Sequence, residues 1–303
     1  MESIRYILYR DIDKIKWDTC IDISSNGLIY GYSFYLDTMA KHWDALVLND
    51  YEAVMPLTWN KKYGISYLYQ PPFSASLGIF GNNISANIIN AFLKAVPEKF
   101  RYWDIYLNHG NYFQLADFNL YQRMNFILLL NSSYENIFAG YRKNIQRNIK
   151  KCEQLYCTVK KDILIDDIIA LSNEQSKTFS KLGTDEYDRV KKIYTLLHQT
   201  KKAITYGIYH KDILLASAAF FFSHGRAYYI LVGNHPDGKT IGASHALIDA
   251  FIKDHAGKNI ILDFEGSDIS SLAFFYSSFG ATEEKYTGIR LNRLPALIKW
   301  LKQ

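Results

Sequence analysis

Apolar and polar residues alternate most cleanly in the second half of the chain. Residues 203–209 alternate as a strand, His210-Lys211-Asp212 marks a turn, and 213–222 is apolar enough for a long buried strand. Ser223-His224-Gly225-Arg226 then turns the chain into a third strand, 227–232. Residues 233–240, with Pro236, read as a loop. From Ser244 to Ala256 the apolar spacing becomes helical, with positions 246, 247, 250 and 251 on one face and Gly257 as the stop. A strand at 259–264, a helix at 270–279 and a strand at 281–291 complete the order βββαβαβ.

The first half gives nearly the same order. Strands are expected at 43–48, 52–59 and 64–69, a helix near 84–96, a strand at 102–107, a weaker helix around 112–117, and a strand near 122–130. No residue-level repeat accompanies this order. The expectation is an α/β (α+β) protein of two tandem units, 1–131 and 132–303, each a mixed, mostly antiparallel sheet flanked by helices. Residues 133–153 read as one helix opening the second unit. Ile137, Phe138, Tyr141, Ile145, Ile149 and Cys152 form its apolar stripe, Lys143, Arg147, Lys150 and Lys151 lie opposite, and Arg142 sits at the border. A further helical stretch, 166–200, precedes the second set of strands.

Composition adds limits. At 303 residues and 49% apolar the chain can bury two cores, and 24 Tyr with 18 Phe supply aromatic packing. A net charge of +5 is too mild for a dedicated DNA-binding domain. Glu2, Arg5 and Arg10 break up any signal-peptide core, and the longest apolar run, 213–222, is about half the length a membrane helix needs. Three cysteines (Cys20, Cys152, Cys157) without CxxC suit a reducing cytoplasm, and eight histidines without HExxH argue for no metal.

Three places carry candidate chemistry. In Lys239-Thr240-Ile241-Gly242-Ala243-Ser244, backbone N–H groups and the helix dipole can hold a phosphate, with Gly242 allowing close approach and Ser244 capping the helix. An ordinary glycine turn and N-cap fit the same residues. Asp263 and Glu265, two apart at a strand end, fall on one side by alternation, where a carboxylate can take a proton from an attacking amine. A helix cap and an ion pair are the plainer reading. Tyr276 can protonate a leaving group or serve as a core ring. The basic face with Arg142, Arg147 and Lys150 suits a substrate or an RNA phosphate, or is a solvated helix face. Trp17, Tyr30, Tyr32, Phe34 and Tyr35 fit an acceptor groove and a core equally well.

The element order, the glycine turn opening a helix and FYxxxG after a DFEGS strand resemble the GNAT acyltransferase superfamily. In that family acetyl-CoA is the usual donor, its pyrophosphate resting on a Q/R-x-x-G-x-G/A turn. Here Lys239 replaces Gln or Arg and Ser244 the last Gly or Ala. Tyr276, four residues before Gly280, matches the tyrosine that acts as general acid in many members. The tandem arrangement is similar to the dual-domain FemAB-like group, and to related GNAT or BioF2-like acetyltransferases. Residues 141–151 are similar to the group's RxNxRRxIRKA segment, and 263–280 to its DFxGS…FYxxFG segment.

The resemblance implies an N-acyltransferase. Backbone amides of 227–232, with Leu231 and Val232 lining the donor, polarise the acyl carbonyl; Glu265 or Asp263 takes a proton; Tyr276 returns one. Acetyl-CoA is the first donor expected and aminoacyl-tRNA the second. The acceptor is a small-molecule or cell-wall-precursor amine, with the first unit on the acceptor side. A non-catalytic double-domain binding module is the remaining reading.

Overall fold

The computed structural model describes residues 3–115, 117–176, 183–266 and 268–295. Two compact units result: residues 1–124 with 285–303, and residues 125–284. The first contains β1 (Ile4–Ile7), α1 (Lys14–Ile23), α2 (Ser33–Met39), β2 (His42–Leu48), β3 (Ala53–Lys62), β4 (Ile65–Tyr69), β5 (Phe80–Gly81), α3 (Ala86–Lys94) and β6 (Phe100–Leu107). The chain passes into the second unit within β7 (Leu120–Leu129). There it forms α4 (Tyr134–Ala139), α5 (Lys143–Gln154), β8 (Thr158–Lys161), α6 (Ile165–Ser176), α7 (Thr184–Gln199), β9 (Ala203–His210), β10 (Ile213–Ser223) and β11 (Arg226–Asn234). Next come α8 (Pro236–Ile241), α9 (Ala243–His255), β12 (Ile261–Asp263) and α10 (Ser270–Ser277), and the chain leaves the unit within β13 (Thr282–Asn292).

Each unit is built on a mixed sheet. In the first, β1, β2, β3 and β4 are antiparallel neighbours, β6 is parallel to β4, and β13 is antiparallel to β6. In the second, β8, β9, β10 and β11 are antiparallel neighbours, β12 is parallel to β11, and β7 is antiparallel to β12. This is the expected fold class, but the last strand is assigned differently. Residues 287–292 pair with 102–107, so the described residues from Lys285 on belong with the first unit and the boundary near 131 becomes two crossings, 124/125 and 284/285.

Apolar spacing explains the packing. In α3 the Ser85 side chain accepts the Ile88 N–H, and Ile89, Phe92 and Leu93 are buried against Trp103 and Phe100. In the second unit Phe220 stacks on Phe251 at 3.8 Å, with Tyr206 edge-on to both. Each such ring contributes roughly 1.5–3 kcal/mol by leaving water. Trp17, Tyr30 and Tyr35 are core residues, exposed by 2% or less, while Tyr32 and Phe34 are half-buried and stack on each other.

Several expectations need correction. The helix expected at 133–153 is two helices, because the Arg142 N–H donates to the Ser278 carbonyl at 2.9 Å and the chain turns at Gly140. The stripe itself is right: Ile145, Ile149 and Cys152 are buried. Residues 236–241 are helical, started by Pro236 and by His235, whose Nδ1 accepts the Asp237 N–H. The described part of 112–117 is not helical, and Ala116 lies outside the described residues. The stretch 166–200 contains two helices, with 177–182 outside the described residues. No helix among the described residues is long and apolar enough to cross a membrane.

Candidate functional site

The second unit's sheet opens where its two parallel strands part. β11 and β12 pair at Arg226–Ile261, Ala227–Leu262 and Tyr228–Asp263, and then β12 ends while β11 continues to Asn234. Among the described residues no strand pairs with that edge of β11 beyond Tyr228. On its other side Leu231 pairs with Ala219 and Tyr229 with Phe220, so Ile230 is an extra residue, a β-bulge. A bulge turns the strand locally and redirects backbone groups. Leu231 is buried and Val232 half-buried within this open stretch.

The corresponding place in the first unit is closed. There β4 and β6 pair from Ser66–Phe100 to Tyr69–Asp104, and the chain then refills the opening. Gln70 Oε1 accepts the Tyr106 N–H at 3.1 Å, the Leu77 N–H donates to the Tyr106 carbonyl, and the Asn108 N–H to the Leu77 carbonyl. A void of about 10 Å³ is left.

Phe264 follows β12 directly and is buried. Tyr276 of α10 stacks on it at 4.5 Å and 19°, and Tyr229 meets it edge-on at 6.0 Å. Tyr276 is 8% exposed. Burial, and then the Glu265 charge, push its hydroxyl well above the usual phenol value near 10. Tyr276 therefore keeps its proton at neutral pH, as a proton donor must. Tyr229 is raised as well, by burial and by Tyr276.

Glu265 and Asp263 part company. Strand alternation stops at Asp263, and Glu265 has φ of +67°, so the two carboxylates are not successive residues of one face. Glu265 is half-buried and close enough to Tyr276 for its charge to act there. Asp263 is 4% exposed and fully engaged: it accepts from Arg226 at 2.9 Å, Asn125 at 2.7 Å and the Glu265 N–H at 3.0 Å. A carboxylate so tied is a structural ion-pair partner, which corrects its expected role as a base. Ser267, the end of that motif, lies outside the described residues.

The glycine turn differs from the expected anion seat. Gly242 has φ of +79° and caps α9 by backbone alone, while Ser244, expected as the cap, donates to Asn234 Oδ1 at 2.6 Å. Lys239, Thr240 and Ile241 lie in α8, and Ala243 is buried at the first position of α9. The Gly242 N–H donates to the Gly238 carbonyl and the His245 N–H to the Gly242 carbonyl. Helix α5 packs over the turn: a Cβ on Gly242 would lie 2.6 Å from the Asn148 carbonyl oxygen, and Lys151 Nζ donates to the Thr240 carbonyl at 2.6 Å. A carbonyl oxygen facing the glycine is unfavourable to the approach of a diphosphate.

Of the basic residues, Arg142 lies over the Phe274 ring at 4.6 Å, and Arg147 and Lys150 are exposed on α5. Lys151, read only as part of the basic face, and Asn148, not singled out, both touch the turn, and their i, i+3 spacing puts them on one helix face.

His245, also not anticipated, sits in the first turn of α9 with its Nε2 3.3 Å from the Asn148 side-chain amide and edge-on to Phe275. Its Nδ1 is buried and has no partner among the described residues. Burial pushes its pKa down to about 4 from about 6.5, so the ring is neutral at pH 7. The unfolded chain takes this proton near pH 6.5 and the folded one only near 4. Its contribution to stability is therefore complete above about 6.5 and lost as pH falls from there towards 4. NMR titration should show the His245 ring unprotonated at pH 5; a midpoint near 6.5 would mean that the ring is solvated.

The sequence matches no protein-family model and no curated protein. Solved structures share its architecture. FemX aligns at TM-score 0.68 with 13% identity, over 99% of this chain and 100% of that one. L-PGS from Bacillus licheniformis aligns at 0.58 with 13% identity, over 95% of each chain. A tandem GNAT protein of the clavulanic acid biosynthesis pathway aligns at 0.54 with 9% identity, over 97% and 100%. The chain thus has the GNAT-like, FemAB-type fold that its motifs resemble.

Proposed function

We propose that the protein is an acyltransferase whose reaction centre is the opening between β11 and β12. The observation carrying this reading is the contrast between the units: the parallel pair stays open beside Tyr276 and Glu265 in the second and is refilled in the first. An acceptor amine attacks the donor carbonyl, forming the C–N bond. Glu265 takes a proton from the amine, directly or through water. Backbone amides of the bulged stretch, including Leu231 and Val232, stabilise the developing oxyanion. Tyr276 protonates the leaving atom as the old bond breaks.

Two features favour an ester-bound donor carried by tRNA over acetyl-CoA, reversing the order expected from the sequence. The turn at Gly242 is covered by α5. A phenol raised above 10 is also a poor acid towards a thiolate, whose thiol has a pKa near 8.5, and better matched to an alkoxide. The exposed Arg147 and Lys150 would then meet RNA phosphates. The acceptor is an amine, of a small metabolite or a cell-wall precursor, and the free thiols suit a cytoplasmic setting.

Titration with aminoacyl-tRNA and with acetyl-CoA tests the donor. Binding of the RNA should weaken steeply with salt, and reversing both charges (Arg147→Glu, Lys150→Glu) should cost about tenfold or more and flatten the salt slope by about one to two. Unchanged RNA affinity in that variant, with acetyl-CoA saturating the protein, would restore the thioester donor.

A further inference from the structure

The residue before Gly266 is a glutamate in a left-handed conformation, and so is Gly266 itself, at φ of +67° and +85°. Two left-handed residues in succession, one of them bulky, persist only where neighbours hold them. Here both N–H groups are held by side chains. Asp263 Oδ1 accepts the Glu265 N–H at 3.0 Å, and Asn125 Oδ1 accepts the Gly266 N–H at 2.6 Å and the Phe126 N–H at 2.7 Å. The two holders are themselves joined, Asn125 Nδ2 donating to Asp263 Oδ1 at 2.7 Å. Asp263 Oδ2 accepts from Arg226 Nη1 at 2.9 Å, and Arg226 Nη2 donates to Glu284 Oε1 at 2.6 Å. Arg226, Asp263 and Asn125 are each less than 10% exposed.

We propose that Asn125 and Arg226 are positioning residues for the Glu265 carboxylate. Asn125 acts directly on the 265–266 backbone, and Arg226 acts through Asp263, all three fixing the carboxylate beside Tyr276. The proposal rests on the acyltransferase reading, in which Glu265 is the base. It also accounts for the burial of a whole charged network at the end of β12, where a plain apolar contact would close the sheet as well. Asn125 and Glu284 are the residues at which the chain enters and leaves the second unit, so the carboxylate's holder is assembled from both of its chain crossings.

The test uses the full chain, with Tyr labelled at Cζ and with total tRNA charged with radiolabelled amino acids as donor and a lysyl peptide as amine. In Asn125→Ala the Gly266 amide should lose its protection from exchange. The Tyr276 Cζ resonance should move as it does in Glu265→Gln, because in both variants the charge leaves the phenol. The transfer rate should fall about tenfold or more with little change in KM. Combining the two substitutions should be no slower than Glu265→Gln alone, since Asn125 works only through that carboxylate. An unmoved Tyr276 resonance in Asn125→Ala, or fully additive losses in the double variant, would overturn the proposal. No transfer by the wild-type chain would instead remove the acyltransferase reading, leaving the Tyr276 resonance to decide the positioning alone. A wild-type rate in Glu265→Gln would remove Glu265 as the base and overturn the proposal.

Discussion

Replacing Arg226 by Met is expected to destabilise the second unit by about 3–5 kcal/mol, the usual cost of removing one partner from a buried ion pair. Arg226 is 7% exposed and bonds Asp263 and Glu284 together, so its loss strands the buried Asp263 carboxylate and unpairs the half-buried Glu284. Surface ion pairs of the same chain, such as Lys16–Asp50 with side chains 47% and 72% exposed, should matter far less, because water screens them. For a unit of this size the melting temperature should fall on the order of 10 °C. Because the chain has two units, residue-resolved exchange in the second unit is a better readout than a single global midpoint. Adding Asp263→Asn and Glu284→Gln to Arg226→Met should recover most of the loss, as neutral partners need no counter-charge. A single Arg226→Met variant as stable as the parent would show that the network is solvated.

Glu265→Gln and Tyr276→Phe are each expected to lower kcat by roughly 10²–10⁴, the range for removing a general base or acid, with KM nearly unchanged. Neither should unfold the protein. Tyr276→Phe keeps the ring stacked on Phe264, and Gln keeps the size of Glu265 without its charge. Asp263→Asn serves as the internal control. Its larger expected effect is on stability, because Asp263 is paired with Arg226. Wild-type rates in both Glu265→Gln and Tyr276→Phe would remove this pair from the reaction, and no transfer by the unsubstituted chain with either donor would leave the protein as a binding module.

The sequence carried the fold through its periodicity. The strand at 213–222 was legible because both of its faces are buried, which makes a continuous apolar run, and the helix after Gly242 because one face is. What it did not carry follows from the same rule. Strand β8 is exposed at all four positions, so no alternation marks it. Helix α1 has Ile15 and Ile23 exposed beside buried Trp17, Cys20 and Ile21, which blurs its stripe. The final strand was recognised, but strand pairing is a long-range choice, and its partner was not readable.

The candidate site was legible in parts. Tyr276 could be found by motif, whereas the divergence of Asp263 from Glu265 depends on a left-handed backbone that spacing does not show. Asn125 lies 138 residues before Asp263, and nothing local joins them. The glycine turn looked open in sequence because the helix covering it, α5, lies about 90 residues earlier in the chain.

The central claim is that the opening beside β11 in the second unit receives the acyl donor. Amide hydrogen exchange with and without aminoacyl-tRNA, and separately with acetyl-CoA, measures this directly. With the productive donor, exchange should slow at residues 229–232 and 264–266 and stay unchanged along β4 and β6. Protection confined to the first unit, or none at 229–232 with either donor at saturation, would contradict it.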